Sequence, residues 1–171
     1  MINKKNEKVY FKEIINLSRN NNVYLEEIRK CYNFFVKKGF SLNKKIVNKK
    51  NHKLWFKIFL KNKFDELILA VDKNKNFLGY VRTKKYYNYF IISIAITPKK
   101  QKRNIASQLL NKIIKKTEFK SAKFIAIVKK KNTNSLNFFK KNNFRSFKTN
   151  SIFFKDHIKN NQLFIFRKKK F

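Results

Sequence analysis

Residues 94–110, Ile94 to Leu110, read "IAITPKKQKRNIASQLL". An apolar run ends at Thr97-Pro98, the only proline in the chain. A basic turn follows, and apolar residues then return at helical spacing as Ile105, Leu109, Leu110, Ile113 and Ile114. Proline removes a backbone donor and cannot continue a central strand, so the stretch predicts strand, turn and helix in that order. The helix is expected over Ile105 to Lys116. The amides of about Arg103 to Ser107 would then lack intrahelical acceptors, and with the positive end of the helix dipole they would form an anion site without any lysine. Lys102 and Arg103 add charge, and Ala106 keeps the approach open. Such loops usually carry glycine, and Asn104 is the best non-glycine residue for a left-handed backbone. The same residues also suit an ordinary basic connection between a core strand and a surface helix, and spacing alone leaves both readings standing.

Composition sets the frame around this stretch. With 171 residues, 43% hydrophobic and 20 Phe, the chain has the length and apolar content of one folded domain spanning 1–171. The 44 Lys and Arg against 9 Asp and Glu give +35, a charge that suits an anionic partner. Yet lysine is spread along the whole chain together with abundant Asn, as a compositional background would place it. No apolar run approaches the roughly 20 residues of a membrane-spanning helix, and the N-terminus lacks a signal-type apolar stretch, so a cytoplasmic protein without membrane insertion is expected. Cys31 is the only cysteine and His52 and His157 the only histidines, which excludes an intrachain disulfide and argues against a zinc site. No metal is expected, and Cys31 reads as a small residue on a helix face.

The remaining elements follow from periodicity. Residues 8 to 15 alternate as a strand does. Leu25, Ile28, Tyr32, Phe35 and Val36 fall at helical spacing within Tyr24 to Lys37, and Asn51 is the expected cap of a second amphipathic helix holding Trp55, Phe56 and Phe59. "ELILAV" and "FLGYVRT" flank the polar turn "DKNKN" as a hairpin would, and "YFIISIAI" is a third strand. "KFIAIV" reads as a strand covered on both faces. "NTNSLNFFKKNNF" reads as a short helix and turn, and "FRSFKTNSIFF" and "QLFIFRK" as closing paired strands. The order is mixed α/β.

The turn also carries a resemblance. An apolar strand, a proline, and Gln/Arg-x-x-Gly-x-Gly/Ala opening a helix is the main signature of the GNAT family of acetyl-CoA-dependent N-acetyltransferases. Pro98 and Gln101-Lys102-Arg103-Asn104-Ile105-Ala106 resemble it. The second signature, an Asn, a small residue, an aromatic pair and Gly-Phe, is similar to Asn132, Ser135, Phe138-Phe139 and Asn143-Phe144. In both, Asn replaces a family glycine, at 104 and 143, where a permissive backbone is needed. Over approximately Tyr24 to Lys168 the resemblance implies an α/β fold with a mostly antiparallel central sheet, flanking helices and splayed central strands. It further implies that the pantetheine arm of acetyl-CoA pairs with the backbones of Ile94, Ala95 and Ile96 and that its pyrophosphate sits on the amides of Arg103, Asn104, Ile105, Ala106 and Ser107. Gln101 and Lys102 would bind the cofactor from the same loop, Asn132 would touch the arm near its sulfur, and Phe139, also expected at the cofactor, stands where many relatives have the Tyr that protonates the leaving thiolate.

A narrower resemblance lies upstream. Arg29, Ser41, Ile46 and His52-Lys53-Leu54-Trp55-Phe56 look similar to bacterial members that acetylate amino-sugar nucleotides for flagellar glycans and surface polysaccharides. His52 would orient the sugar nucleotide or accept a proton, as a neutral imidazole can near pH 7, or it bonds locally in the first turn of its helix. Trp55 and Phe56 read as core anchors. Related sugar enzymes often carry a carboxylate near where this chain has Ile91, so neither Phe139 nor Ile91 supplies the group expected there; a water or a neighbour such as Tyr80 would have to compensate. The expected function is therefore acetyl transfer from acetyl-CoA to a primary amine on an amino-sugar nucleotide. Other acceptors within the fold, a protein or ribosomal N-terminus or another small amine, stay open. So does a non-catalytic nucleic-acid-binding protein, which would need aromatics on a polar face. The sequence leaves the oligomeric state open.

Overall fold

The computed structural model describes residues 9–13, 22–87, 89–101, 103–115, 122–148, 154 and 161–167. Within them the chain runs β1 (Tyr10–Glu13), α1 (Asn22–Lys37), α2 (Lys49–Lys61), β2 (Glu66–Val71), β3 (Phe77–Tyr86), β4 (Tyr89–Ile96), a 3-10 turn (Pro98–Lys100), α3 (Ile105–Lys115), β5 (Lys123–Lys129), α4 (Thr133–Lys141), β6 (Arg145–Phe147) and β7 (Asn161–Arg167). The described strands form one sheet in the order β1-β2-β3-β4-β5-β7-β6. Every junction is antiparallel except β4 with β5. This is the mixed, mostly antiparallel sheet that the sequence led us to expect.

The polar turn between β2 and β3 is built by one side chain. Asp72 Oδ1 accepts from the amides of Asn74 and Asn76 at 3.0 and 2.8 Å, and Asn76 Nδ2 donates to Asp72 Oδ2 at 2.9 Å. Asp and Asn favour such turns because a short polar side chain can replace a backbone partner. The Asn76 side chain, with the amides of Asn76 and Asn74, holds the Asp72 carboxyl below the usual range. Helix α2 begins earlier than the sequence suggested. Its cap is Asn48, whose Oδ1 accepts from the Asn51 amide at 2.8 Å, so Asn51 is the residue being capped. Two Asn three positions apart satisfy the same pattern, and only backbone geometry separates them.

The period-two alternation of the strands divides the core between the two faces of the sheet. Ile68, Ala70, Leu78, Val81, Ile92, Ile96, Phe124, Ala126 and Val128 pack with Ile105, Leu109, Leu110 and Ile113 of α3 and Phe139 of α4. The opposite parity, Leu67, Leu69, Val71, Tyr80 and Ala95, packs under Tyr24, Leu25, Ile28 and Cys31 of α1 and Phe56 and Phe59 of α2. Farther along that second face, Ile125 and Phe154 form a separate cluster with Tyr89, Ile127 and Phe147. Gly79 lets β3 follow β4 closely: a Cβ there would stand 2.5 Å from the Ala95 carbonyl oxygen and 3.0 Å from Ile96 Cα.

Candidate active site

Strands β4 and β5 part company. They pair only from Tyr89–Ile91 to Lys123–Ile125, while β4 runs on to Ile96 and β5 to Lys129. The other edge of β5 stays paired to β7 along its whole length, so the opening is a local gap in an otherwise continuous sheet. The Thr97 amide donates to the Leu78 carbonyl at 2.9 Å, which fixes the phase of the β3–β4 ladder. Ala95 therefore directs its N–H and C=O at β3, and Ile94 and Ile96 direct theirs toward the gap. Of the three backbones that the resemblance assigned to pantetheine, Ile94 and the Ile96 N–H face the gap, and the Ile96 carbonyl accepts from Gln101.

The turn closes the same end of the gap. Thr97 Oγ1 donates to Leu78 O at 3.1 Å, Gln101 Nε2 donates to Ile96 O at 3.3 Å, and Asn104 has φ of 59°. The left-handed backbone expected at this position is present. The Gln108 amide donates to the Asn104 carbonyl at 3.1 Å and opens the hydrogen-bond ladder of α3, so the amides of Ile105, Ala106 and Ser107 precede it. Ile105 is buried under the sheet, while Ala106 and Ser107 are half-buried and present small side chains. Three unladdered amides at a helix start, with a positive-φ residue before them, fit a pyrophosphate. Arg103 is exposed beside them; Lys102 lies outside the described residues.

The second signature folds just beyond β5. Asn132 caps α4, its Oδ1 accepting from the Ser135 amide at 3.2 Å, which leaves Nδ2 as the donor for another group. Asn143 has φ of 63°, so the second glycine-replacing Asn is also left-handed. Phe139 packs against Phe138, Phe144 and Phe164 and belongs to the main core.

On the α1/α2 face the gap, the cleft between β4 and β5, is flanked by two separate clusters, one under α1 and α2 and one around Phe154 that includes Ile127, and half-buried Ile91 and Ser93 of β4 belong to neither. One wall comes from α2 and β3. His52 stacks on Trp55 with ring centroids 5.1 Å apart, and the Arg82 guanidinium lies 5.3 Å from the Trp55 ring. His52 is only 6% exposed, and neither ring nitrogen has a hydrogen-bond partner among the described residues. Burial, with the nearby charges of Arg29 and Arg82, pushes its pKa down to about 4. It is neutral at pH 7 and too weakly basic to take a proton readily, which favours its orienting role over proton transfer. Trp55 is half-buried beside the core, and Phe56 is within it.

Arg29 is committed locally. It holds Glu26 through Nε and Nη2 at 2.9 and 2.6 Å, and its Nη1 donates to Val47 O at 3.0 Å. Asn33 clamps the same Val47 through both its carbonyl and its amide, fixing the α1–α2 connection over the sheet. The Arg29 hydrogen bond holds the Glu26 carboxyl down at about 2, so that acid stays ionised and paired. Burial pushes the Cys31 thiol up to about 12 and raises the Tyr80 phenol as well. Cys31 is thus the inert helix-face residue expected, and Tyr80 stays protonated within the core as a weaker acid than a free phenol.

Sequence reading did not single out Arg82, Lys44, Lys129 or Lys131. Alternation in "FLGYVRT" puts Tyr80 and Arg82 on one face, and alternation in "KFIAIVK" does the same for Ile125, Ile127 and Lys129; which face adjoins the cleft depends on pairing across β4.

A sequence profile of the Acetyltransferase (GNAT) family matches residues 24–144. The chain belongs to the GNAT acetyltransferase family. Solved structures share the fold across nearly the whole chain. A GNAT superfamily phosphinothricin acetyltransferase from Sinorhizobium meliloti, in complex with acetyl-CoA, aligns with a TM-score of 0.73 at 15% identity, covering 93% of this chain and 88% of that one. A spermidine N-acetyltransferase from Vibrio cholerae, in complex with CoA and spermine, aligns at 0.72 and 14%, covering 95% and 96%. The Campylobacter jejuni N-acetyltransferase PseH, in complex with acetyl coenzyme A, aligns at 0.63 and 15%, covering 95% and 100%. No curated protein matches. This GNAT chain is an acyltransferase with acetyl-CoA as its cosubstrate. No described helix is long and apolar enough to cross a membrane.

Proposed function

We propose that this GNAT enzyme acetylates the primary amine of an amino-sugar nucleotide, with the amine entering over the α1/α2 face and acetyl-CoA lying in the β4–β5 gap. The observation that carries the reading is the Arg82–Trp55–His52 wall: a half-buried guanidinium with no carboxylate partner among the described residues, over an indole, beside a neutral imidazole. A nucleotide supplies what such a wall lacks, negative charge for the guanidinium and ring faces or hydroxyls for the indole and imidazole. The upstream resemblance of Arg29 and His52-Lys53-Leu54-Trp55-Phe56 points to the same acceptor class. A polyamine would instead meet uncompensated positive charge.

The amides of Ile105, Ala106 and Ser107 would hold the pyrophosphate of acetyl-CoA, with Gln101, Arg103 and Asn104 shaping the loop. Ile94 and the Ile96 N–H would offer ladder groups to the pantetheine arm, Ala95 holds β4 to β3, and Asn132 Nδ2 would be a donor toward the sulfur end. The amine nitrogen attacks the thioester carbonyl carbon, the N–C bond forms, the C–S bond breaks and its electron pair leaves on sulfur. The backbone donors facing the gap stabilise the developing oxyanion. With Phe139 unable to give a proton, the thiolate is protonated from water, and the amine proton leaves to water. His52 orients the acceptor. Its role is thus positional and not that of a general base.

The test is release of CoA with a panel of amines: an amino-sugar nucleotide, the free amino sugar, spermine and phosphinothricin. The reading expects the nucleotide to give by far the highest kcat/KM, and Arg82→Ala to raise its KM while leaving acetyl-CoA affinity unchanged. Preference for spermine, or indifference to the nucleotide, overturns it.

A further inference from the structure

Three lysines converge at the open end of the cleft. Lys129 ends β5 on the cleft face, beyond the point where β4 and β5 separate, and its Nζ donates to the Gly39 carbonyl at 3.0 Å. Gly39 belongs to the turn after α1 and has φ of 70°. The Lys131 ammonium packs against the same residue, 2.7 Å from where a Cβ would project. Lys44, in the α1–α2 connection, is close enough to act on Lys129 electrostatically. No carboxylate among the described residues pairs with any of the three. Bringing like charges together is unfavourable unless something negative joins them. Burial and the charges of Lys131 and Lys44 accordingly lower the Lys129 pKa.

The cluster is tied to the reaction cleft by covalent and hydrogen-bonded links. Asn132, the cap of α4, follows Lys131 directly, and its amide donates to the Lys129 carbonyl at 2.8 Å. The Arg29 and Asn33 clamp on Val47 holds the α1–α2 connection in place, and the Lys129 bond draws its Gly39 end over β5. His52, buried and stacked on Trp55, lies on the helix that this connection leads into.

We infer that Lys44, Lys129 and Lys131 form the subsite that holds the phosphate or diphosphate of the acceptor, positioning its amine toward the sulfur end of acetyl-CoA. The inference rests on the acceptor reading above and names the group that its charge would occupy. Lysine ammoniums bind phosphate as point charges, each with three rotatable donors, so a cluster on two separate loops can close on a diphosphate without a glycine-rich cradle. These residues are positioning residues. They do not touch the reacting atoms.

The experiment uses the full chain saturated with CoA, so that the α3 start is already filled, and titrates inorganic pyrophosphate by calorimetry at moderate salt. A saturable second site is expected. Lys44→Gln with Lys131→Gln leaves the Lys129–Gly39 bond intact and should weaken pyrophosphate at least about tenfold, the loss expected for charge-assisted contacts. Acetyl-CoA affinity should stay unchanged, and Tm should hold or rise as the like-charge repulsion is relieved. In turnover, the same variant should raise KM for a phosphate-bearing acceptor at constant kcat and leave the free amino sugar unaffected. Absence of a second site, an unchanged pyrophosphate affinity in the variant, or a parallel loss of acetyl-CoA affinity overturns the inference; the last outcome would make the lysines a cofactor contact. If pyrophosphate binds as expected and no sugar nucleotide is acetylated, the subsite stands and the acceptor class falls.

Discussion

Replacing Asn104 by Asp separates the two jobs of the turn. Asn104 has φ of 59° and its carbonyl accepts the first bond of α3. Asp tolerates left-handed backbone nearly as well as Asn, and a carboxylate at a helix start interacts favourably with the dipole, by about 0.3–1 kcal/mol. The free enzyme should therefore keep its Tm or gain slightly. The cofactor should be lost. Two unit charges about 5 Å apart at an effective dielectric near 20 repel by about 3 kcal/mol, a factor on the order of 100 in Kd. A thermal shift series with and without acetyl-CoA reads both effects, the variant showing an unchanged free Tm and no stabilisation at ligand concentrations that saturate the parent. Asn104→Gly, which keeps the backbone and adds no charge, should retain binding. If Asn104→Asp binds acetyl-CoA within about twofold of the parent, the pyrophosphate is not at this turn. If it simply unfolds while Asn104→Gly does not, the residue's role is structural and the charge argument fails.

Three further predictions concern the supports of the site. His52 titrates near 6.5 when unfolded and about 4 in the fold, so between these values the unfolded chain binds more protons and stability falls as pH drops. Urea unfolding should lose on the order of 2 kcal/mol between pH 7 and 4 from this group, and His52→Gln should flatten that part of the curve. Gly79→Ala forces a Cβ within 2.5 Å of a backbone oxygen and should cost about 2–3 kcal/mol in denaturant midpoint analysis, with acetyl-CoA affinity falling as β4 shifts. Asn48→Ala removes the α2 cap and should cost about 1 kcal/mol, whereas Asn51→Ala should be close to neutral.

Local chemistry made much of this molecule legible. Strand β4 follows the predicted limits because a proline stops it, and α3 starts where apolar spacing changes from two to three or four. Asn104 and Asn143 were readable as left-handed because few other residues accept that backbone, and both adopt it. The α2 cap was misplaced by three residues because Asn48 and Asn51 offer the same side chain before the same helix. β3 runs to Tyr86, past the "FLGYVRT" segment, because pairing with β4 extends it to the hairpin. What sequence could not supply is juxtaposition. Arg82 comes to lie over Trp55 through packing of α2 on β3, and Lys129 reaches Gly39 across 90 residues of chain. Neither follows from spacing, since a lysine-rich chain offers many basic residues of equal local character. The exposed aromatics among the described residues, Tyr10, Phe64 and Tyr87, lie on β1, the α2–β2 connection and the β3–β4 turn, and Lys85 covers Phe64 at 3.7 Å, so they make a poor stacking platform for a nucleic acid.

Calorimetry of acetyl-CoA with the unmodified chain, repeated at moderate and at high salt beside inorganic pyrophosphate, tests the central claim most directly. The account predicts saturable micromolar binding of one acetyl-CoA, clearly tighter than pyrophosphate and surviving added salt, because the β4–β5 gap and the unladdered amides of α3 contribute contacts that screening does not remove. Binding that merely equals pyrophosphate and fades with salt would contradict it, and would reduce Lys99 to Asn104 to one more basic loop.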